Sequence, residues 1–290
     1  MSMSYLSVTI NNINEIEELR KLSIKEIQLA LKNSAFSSNY GFSYEEILNI
    51  LNDNKDMNIC INMNGLIKED EIEEKEEIML GLLDKGISYI SFSDFALLRK
   101  AKMHNYTNSL IYDPITLLTN SLEAQTIADN NLAYITISSL LTKDEIKEIA
   151  SAIDNASLII HGHLLMSATR RKLLSSYGNN KNIGLKDNNY YLQEETRDGL
   201  MPIYESDRGT LIYSDFIQES FMELNEFVSK GIKRLEIHTN YIDFDITKKT
   251  IRAYQDILNG KDPKEVEKEY RLSIKDELLS EGYYDEKSIK

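Results

Sequence analysis

Residues 58–92 read NICINMNGLIKEDEIEEKEEIMLGLLDKGISYISF, and this stretch holds one complete strand–helix–strand unit. The apolar run Asn58–Asn62 predicts a buried strand. From Glu69 to Leu83 the apolar residues recur at helical spacing, which predicts an amphipathic helix. Gly86 then precedes a second β-type run, Ser88–Phe92. Two strands that are joined through a helix run parallel in one sheet, so the stretch predicts an α/β fold.

The same alternation continues on both sides of this unit. The predicted strands are Tyr5–Thr9, Glu26–Leu31, Asn58–Asn62, Ser88–Phe92, Ser109–Tyr112, Ala133–Ile137, Ser157–His161 and Arg234–His238. Further predicted helices are Ser43–Leu51, Asn120–Asp129, Thr142–Ile153 and Thr247–Leu258. This pattern predicts a (β/α)8 TIM-like barrel over residues 1–260. A doubly wound sheet would show the same alternation, and only the strand count favours the barrel.

The connection after the seventh strand departs from this pattern. The connection over residues 164–215 is far longer than a usual strand–helix loop. We therefore expect it to form a small inserted β subdomain over the barrel mouth. Its predicted strands are Asn189–Glu194, Met201–Glu205 and Arg208–Ser214, with a turn at Asp198-Gly199 and a helix afterwards over Phe216–Lys230. Residues 261–290 predict an acidic, loosely packed helical tail that begins near Pro263.

Composition narrows the classes of function. The formal charge is −14 and no basic face is visible, so we expect this chain to contact nucleic acid only indirectly, through a partner protein. Cys60 is the only cysteine, which excludes an intrachain disulfide and a four-cysteine iron–sulfur cluster held by this chain alone. No apolar run approaches the roughly 18 residues of a membrane span. No signal peptide is evident at the N-terminus, so we expect a cytoplasmic protein without membrane attachment.

Polar residues lie at the C-terminal ends of several predicted strands. In a TIM barrel the active site is at this end. His161, Asp94 and His238 are the predicted catalytic residues, and Asn62, Asn64, Asp113 and His163 are predicted substrate contacts. His161 and His163 lie two apart on a strand and would share a face, so with His238 they could also bind zinc. The alternative is that the histidines are hydrogen-bonded strand-end residues and that Asp94 caps a helix. No recognisable ligand spacing identifies a metal site.

A basic cluster stands out in this acidic chain. Arg170 and Arg171 adjoin Lys172, and Arg208 follows in the same long connection. Guanidinium groups bind carboxylate or phosphate in a bidentate way, so these residues are predicted contacts for a small anion such as a carboxylate. The alternative is that they pair with the chain's own Asp and Glu residues. No Walker loop, dinucleotide fingerprint, nucleophile elbow or H-E-x-x-H motif is present.

Several motifs, in this order, resemble the peptidase U32 (collagenase-like protease) family. They are Gly86–Asp94, Thr119-Asn120-Ser121, His161-Gly162, Ser167–Ser176, Arg208-Gly209-Thr210, Ser214-Asp215-Phe216 and Gly231–Ile237. The resemblance implies that Ser214 begins a helix. The four-cysteine iron–sulfur site of many members has no counterpart, because the corresponding positions near Leu165, Leu173 and Leu185 hold no cysteine. The chain also has His238-Thr239-Asn240 where the family has Glu-Gly-Arg.

The resemblance implies two functions of different classes. Family members were first labelled peptidases, and several resemble oxygen-independent hydroxylation factors for tRNA wobble uridine, ribosomal RNA or ubiquinone precursors. This chain is most similar to short cysteine-free members that accompany a longer cysteine-bearing paralogue in Firmicutes and are associated with 5-hydroxyuridine in tRNA. The implied function is therefore that of a subunit or accessory factor in a heteromer with such a paralogue. A peptidase is the alternative, and a non-catalytic anion-binding module that uses Arg170 and Arg171 is a third possibility.

Overall fold

The computed structural model describes residues 4–35, 40–114, 118–185, 189–195, 199–274 and 277–285. Its strands are β1 (Tyr5–Thr9), β2 (Glu26–Ala30), β3 (Asn58–Met63), β4 (Tyr89–Phe92), β5 (Leu110–Tyr112), β6 (Tyr134–Ile137), β7 (Ala156–Thr169), β8 (Asn189–Leu192), β9 (Met201–Ser206), β10 (Gly209–Gln218), β11 (Ile232–Ile237) and β12 (Leu279–Ser280). Its α-helices are α1 (Glu15–Lys21), α2 (Tyr44–Asp53), α3 (Ile72–Asp84), α4 (Phe95–Met103), α5 (Ser121–Ala128), α6 (Lys143–Ala152), α7 (Leu173–Lys181), α8 (Leu224–Ser229), α9 (Phe244–Leu258) and α10 (Pro263–Ser273).

Strands β1 to β7 and β11 form a closed parallel barrel. Each pairs with its neighbour in chain order, and β11 pairs in parallel with both β7 and β1. A doubly wound sheet would leave two edge strands, so this closure confirms the predicted TIM-like barrel. Apolar strand residues such as Ile27, Leu29, Ile59 and Ile61 are fully buried in the main hydrophobic core, together with helix residues such as Ile47.

Helix starts follow the local sequence closely. The Ser43 hydroxyl accepts from the Glu46 backbone N–H, and the Glu46 carboxylate accepts from the Ser43 N–H. Thr142 and Glu145 make the same reciprocal pair at the start of α6. These capping boxes satisfy backbone donors that the first helical turn leaves free, which explains why both starts are predictable from sequence. Helices α1 and α7 are additional to those predicted, and α4 was anticipated only through Asp94 as its cap.

The long seventh connection extends the barrel strand itself. Strand β7 continues to Thr169, and β10, β9 and β8 add to it as antiparallel strands. The three predicted strands of this segment are present, although the predicted turn at Asp198-Gly199 lies partly outside the described residues. Helix α7 packs on the resulting sheet, because Glu205 of β9 accepts from the Leu174 and Ser175 backbone N–H groups. We call β8, β9, β10, α7 and the outer part of β7 the insertion.

The helix predicted over Phe216–Lys230 is wrong in its first half. Residues Ser214 to Gln218 belong to β10, and α8 spans only Leu224–Ser229. The strand persists because Ile217 and Gln218 pair with β7 on one side and with β12 on the other. Two neighbouring strands satisfy the backbone hydrogen bonds that a helix would otherwise have to supply.

The C-terminal tail is packed against the barrel, so the expectation of a loose tail is wrong for its described part. Helix α10 begins at Pro263 as predicted, and Tyr270 and Tyr284 are buried. The Tyr284 ring packs edge-on against Phe227, and β12 pairs with the end of β10. Apolar burial and strand pairing both outweigh the local charge of this segment. None of the described helices is long and apolar enough to cross a membrane.

Replacing Tyr284 with phenylalanine is expected to lower the free energy of unfolding by about 1–2 kcal/mol. The Tyr284 hydroxyl accepts from Gln218 at 2.5 Å and shares a hydrogen bond with Ser220 at 2.6 Å, all in buried surroundings. Urea denaturation measures the loss. Tyr283→Phe is the matched control, because among the described residues the Tyr283 hydroxyl contacts only the Met166 sulfur, at 3.8 Å. Equal stabilities of the two variants would contradict the prediction.

Candidate functional site

The inside of the barrel is lined with polar side chains. Thr136 of β6 donates to Glu236 of β11 at 3.1 Å, although these strands are not neighbours, so their contact crosses the interior. Gln28 of β2 reaches the other oxygen of the same carboxylate at 3.1 Å. Buried polar groups persist where they are hydrogen-bonded, and Glu236 has several such partners. The interior is therefore a connected polar network rather than an apolar plug.

Arg234 lies at the centre of this network. Its Nε is 2.6 Å from Glu26 and its Nη1 is 2.8 Å from Glu236, and all three side chains are almost fully buried. Burial by itself lowers the pKa of Arg234, but the charges of Glu236 and Glu26 raise it well above its ordinary range. Burial likewise acts to raise the pKa of Glu236, but Arg234 and His238 hold it below its ordinary range. Charge compensation thus keeps Arg234 and Glu236 ionised inside the barrel.

Asp113 and His238 form the layer of this network at the C-terminal end of the strands. His238 Nε2 is 3.2 Å from Glu236 Oε2, and Asp113 accepts from Asn64 at 2.7 Å and from Ser91 at 3.2 Å. Burial, followed by the charge of Glu236, raises the pKa of Asp113 to about 6. A carboxyl group with such a pKa exchanges its proton near neutral pH, which suits it to acid–base chemistry. We call Asp113, His238, Glu236 and Asn64 the mouth cluster.

The structure brings together some of the residues that the sequence singled out. Asn64, Asp113 and His238 meet in the mouth cluster. Asn62 is buried at the end of β3, where its carbonyl accepts from the Leu31 N–H and its side-chain oxygen lies 3.9 Å from the Cys60 sulfur. Asn62 therefore holds the strand end beside the cluster.

His161 lies on the other side of its strand. Its ring is fully buried between β7 and the outer helices, with Tyr254 and Tyr270 hydroxyls at 3.4 and 3.2 Å. Burial, with the nearby charge of His163, lowers the pKa of His161 to about 3, so the ring is neutral at pH 7. The expectation that His161 faces the mouth is wrong, and its surroundings indicate a packing role.

A register shift in β7 explains why the strand alternation fails here. Ile159 pairs with Glu236 but His161 pairs with the next residue, Ile237, so β7 has one extra residue and His161 joins the side of the sheet that Ile237 faces. Gly162 follows with a φ of +138°, and a Cβ at this position would lie 2.6 Å from the His238 carbonyl oxygen. His163 then hydrogen-bonds to the Ser214 carbonyl at 2.8 Å, and burial lowers its pKa. The predicted convergence of three imidazoles does not occur, since no group of three His, Cys, Asp or Glu side chains among the described residues can hold a metal.

The remaining predicted residues stand outside the mouth cluster. Asp94 caps α4 by accepting from the Ala96 N–H at 2.9 Å, as the alternative interpretation anticipated. Arg208 binds both oxygens of Glu71 at 2.8 Å and the Leu66 carbonyl, so it ties the tip of the insertion to the connection after β3. Arg170 and Arg171 are exposed near that tip, and no ion pair joins either to another described residue.

Sequence reasoning missed Arg234 and Glu236, although the sequence carries a signal for them. Arg234, Glu236 and His238 alternate with the apolar Leu235 and Ile237, so the three polar side chains share one face of the strand. In a barrel strand buried on both faces, charged residues on one face indicate that this face looks into a polar interior.

Cys60 does not fit the iron–sulfur chemistry that the family resemblance implies. Its thiol is fully buried within β3, and burial raises its pKa. A four-thiolate cluster needs ligands that a chain with one cysteine cannot supply. The groups that this chain itself offers are the carboxyls, amides and imidazole of the mouth cluster.

Comparisons with other proteins agree with this architecture. The model of peptidase family U32 matches residues 9–289. The chain is 25% identical over 186 residues to the tRNA hydroxylation protein P2 of Bacillus subtilis (strain 168). That alignment covers 62% of this chain and 60% of the relative, so the match spans less than two thirds of that protein.

Two solved structures share the fold. A U32 peptidase superimposes with a TM-score of 0.51 at 12% identity, covering 82% of this chain and 93% of the other. A dihydrodipicolinate synthase superimposes with a TM-score of 0.51 at 10% identity, covering 94% of this chain and 81% of the other. At such low identity the likeness concerns the fold alone, and it agrees with the closed barrel.

Proposed function

We infer that this chain, which belongs to peptidase family U32, is a subunit or accessory factor of a tRNA wobble-uridine hydroxylation system. The observation that carries the proposal is the mouth cluster, which offers acid–base groups in a chain with a single, buried thiol. The similarity to a tRNA hydroxylation protein supports the same assignment. The system would act in the cytoplasm, without oxygen as a reactant.

The residues of this chain divide the task with a partner. Asp113 and His238 can hold or move a proton at the barrel mouth, and Asn64 fixes the Asp113 carboxylate through its amide. No electron carrier can be built from Cys60 alone, so redox chemistry falls to a cysteine-bearing U32 paralogue in a heteromer. The formal charge of −14 also favours a partner that supplies most of the contact to tRNA phosphates.

One observation favours the peptidase as a second candidate. A carboxyl group with a pKa near 6, beside a His–Glu pair, is a suitable general base for activating water. The purified chain would then release peptides from gelatin, and Asp113→Asn would abolish the release. Gelatin left intact by the wild-type chain would eliminate this candidate.

Nucleoside mass spectrometry of total tRNA tests the hydroxylation proposal. A strain that lacks this gene, and any other cysteine-free U32 gene, is expected to lose 5-hydroxyuridine and its derivatives almost completely. The wild-type gene should restore them. Unchanged levels in the deletion strain would refute the proposal.

The Arg170→Ala/Arg171→Ala double variant is expected to restore little of the modification. These exposed cations lie near the insertion tip, where they can bind a phosphate or carboxylate. Arg20→Ala/Lys21→Ala is the matched control, because it removes two surface cations of α1 whose ion pairs are with Glu17, Asp56 and Glu18. Full restoration by both double variants would show that Arg170 and Arg171 are not needed.

A further inference from the structure

One face of the insertion sheet carries a series of tyrosines. Tyr204 of β9 lies opposite Leu211 of β10, and Tyr191 of β8 lies opposite Pro202 of β9; directly opposed residues share a face. Tyr204 is two positions beyond Pro202 and Tyr213 is two positions beyond Leu211, so all three tyrosines share that face. Three tyrosines from three adjacent strands therefore point to the same side of the sheet.

This tyrosine face looks toward the barrel mouth. The Tyr213 ring lies 5.5 Å from the ring of Tyr241, which follows the last barrel strand, and Tyr241 meets His163 edge-on at 6.3 Å. The opposite face of the sheet is the one on which α7 packs, through Glu205. Tyr40, from the connection after β2, is near enough to Tyr241 that its ionised form would help raise the pKa of Tyr241, and it is half exposed. We call Tyr40, Tyr191, Tyr204, Tyr213 and Tyr241 the tyrosine cluster.

The hydrogen bonding of the Tyr213 hydroxyl is unusual for a buried group. Its side chain is only 2% exposed, and its hydroxyl oxygen has no hydrogen-bond partner within the described part of the chain. Buried hydroxyls are almost always hydrogen-bonded, because leaving one unpaired costs its full desolvation energy. Tyr191 contrasts with it, since 61% of that residue is exposed. The cluster thus combines the Tyr213 hydroxyl, which is unpaired among the described residues, with the solvent-exposed ring of Tyr191.

We propose that the tyrosine cluster binds one extruded pyrimidine base, which stacks on Tyr191 and hydrogen-bonds to the Tyr213 hydroxyl above the mouth cluster. This inference rests on the proposed function and names the site for its substrate. Because the Tyr213 hydroxyl is covered in the free protein, the more exposed rings of the cluster shift when the base enters.

The chemistry of the surroundings selects a base rather than a phosphate or a simple anion. Enzymes that modify a base take it out of its stack, and flat tyrosine rings suit any base face. Among the described residues, Glu26, Glu236 and Asp113 are three buried carboxyl groups beside the single cation Arg234, so the excess of acidic groups below disfavours phosphates. The RNA backbone would stay outside, on the side of Arg170 and Arg171. These two follow Thr169, which pairs with Thr210 at the outer end of the same sheet.

Titration of the full-length chain with uridine, followed by ligand-observed NMR, tests the site without phosphate contacts. Tyr191→Ala is expected to weaken uridine binding at least about fivefold, as loss of one stacking ring does. Tyr213→Phe should weaken it about tenfold, as loss of one hydrogen bond does, while its thermal stability stays equal or rises. Tyr177→Ala is the matched control, because Tyr177 is 55% exposed and lies on α7, which packs on the other face of the sheet.

Three results of the binding experiment would overturn the inference. One is the absence of uridine binding by the wild-type chain, and another is equal binding by the Tyr191 and Tyr177 variants. The third is tighter binding of N-acetyl-phenylalanine amide than of uridine, which would assign the cluster to a peptide. In cells, the deletion strain could lose 5-hydroxyuridine and regain it fully with either the Tyr191→Ala or the Tyr213→Phe gene. That result would refute the site but not the proposed function. A deletion strain that keeps its 5-hydroxyuridine would refute the proposed function. The uridine titration would then be the remaining test of the site.

Discussion

Replacing Arg234 with methionine is expected to lower the free energy of unfolding by about 3–5 kcal/mol. Arg234 is the cation between two buried carboxylates, at 2.6 Å from Glu26 and 2.8 Å from Glu236. Methionine fills similar volume but leaves both carboxylates without their counter-charge in the barrel interior. Removing one member of a buried ion network is costly because the desolvation of the others is no longer compensated.

Urea denaturation followed by far-ultraviolet circular dichroism measures this loss, since the sequence has no tryptophan to report unfolding. Arg20→Met is the matched control, because Arg20 makes its ion pairs with Glu17 and Asp56 at the surface, where losing them should change stability far less. Adding Glu26→Gln to Arg234→Met should recover part of the loss, which separates charge from packing. A loss no larger than in the Arg20 variant would contradict the prediction.

Asp113→Asn is expected to make the protein more stable than the wild type at neutral pH, by up to about 3 kcal/mol. The pKa of Asp113 is about 6 in the folded chain, against 3.8 for an ordinary aspartate. The folded state therefore binds a proton more tightly than the unfolded state. The stabilisation that comes from protonated Asp113 is complete below about pH 4, and it is lost as the pH rises through 6. Asparagine has no proton to lose, and its carbonyl can still accept from Asn64.

Paired unfolding measurements at pH 4 and pH 7.5 check this result. The difference between the variant and the wild type should be small at pH 4 and close to its full value at pH 7.5. Glu219 and Glu223 also have raised pKa values, of about 6 and 7, caused first by burial. Both glutamates are present in each protein, so their effects cancel in the comparison. A difference that does not change with pH would rule out Asp113 as the titrating group.

Much of the candidate site was predictable, because the C-terminal ends of all the barrel strands lie at the same end of the barrel. Asn64, Asp113 and His238 follow apolar strands in the sequence, and the structure joins them through hydrogen bonds and charge. The prediction for His161 was wrong because strict alternation fails in β7, where one extra residue lies between the partners of Glu236 and Ile237. Asp94 was a good helix cap by residue type, and it serves as one.

The class of fold, the capped helix starts and the lack of thiolates for a cluster were all predictable from the sequence. Each of these depends on local spacing or on composition, which a single chain displays directly. The folded chain was needed to show that Arg234 and Glu236 join Asp113 and His238 in the interior, and that tyrosines from three strands lie over the mouth. These contacts join residues up to 208 positions apart, as between Arg234 and Glu26, so barrel closure and strand register create them.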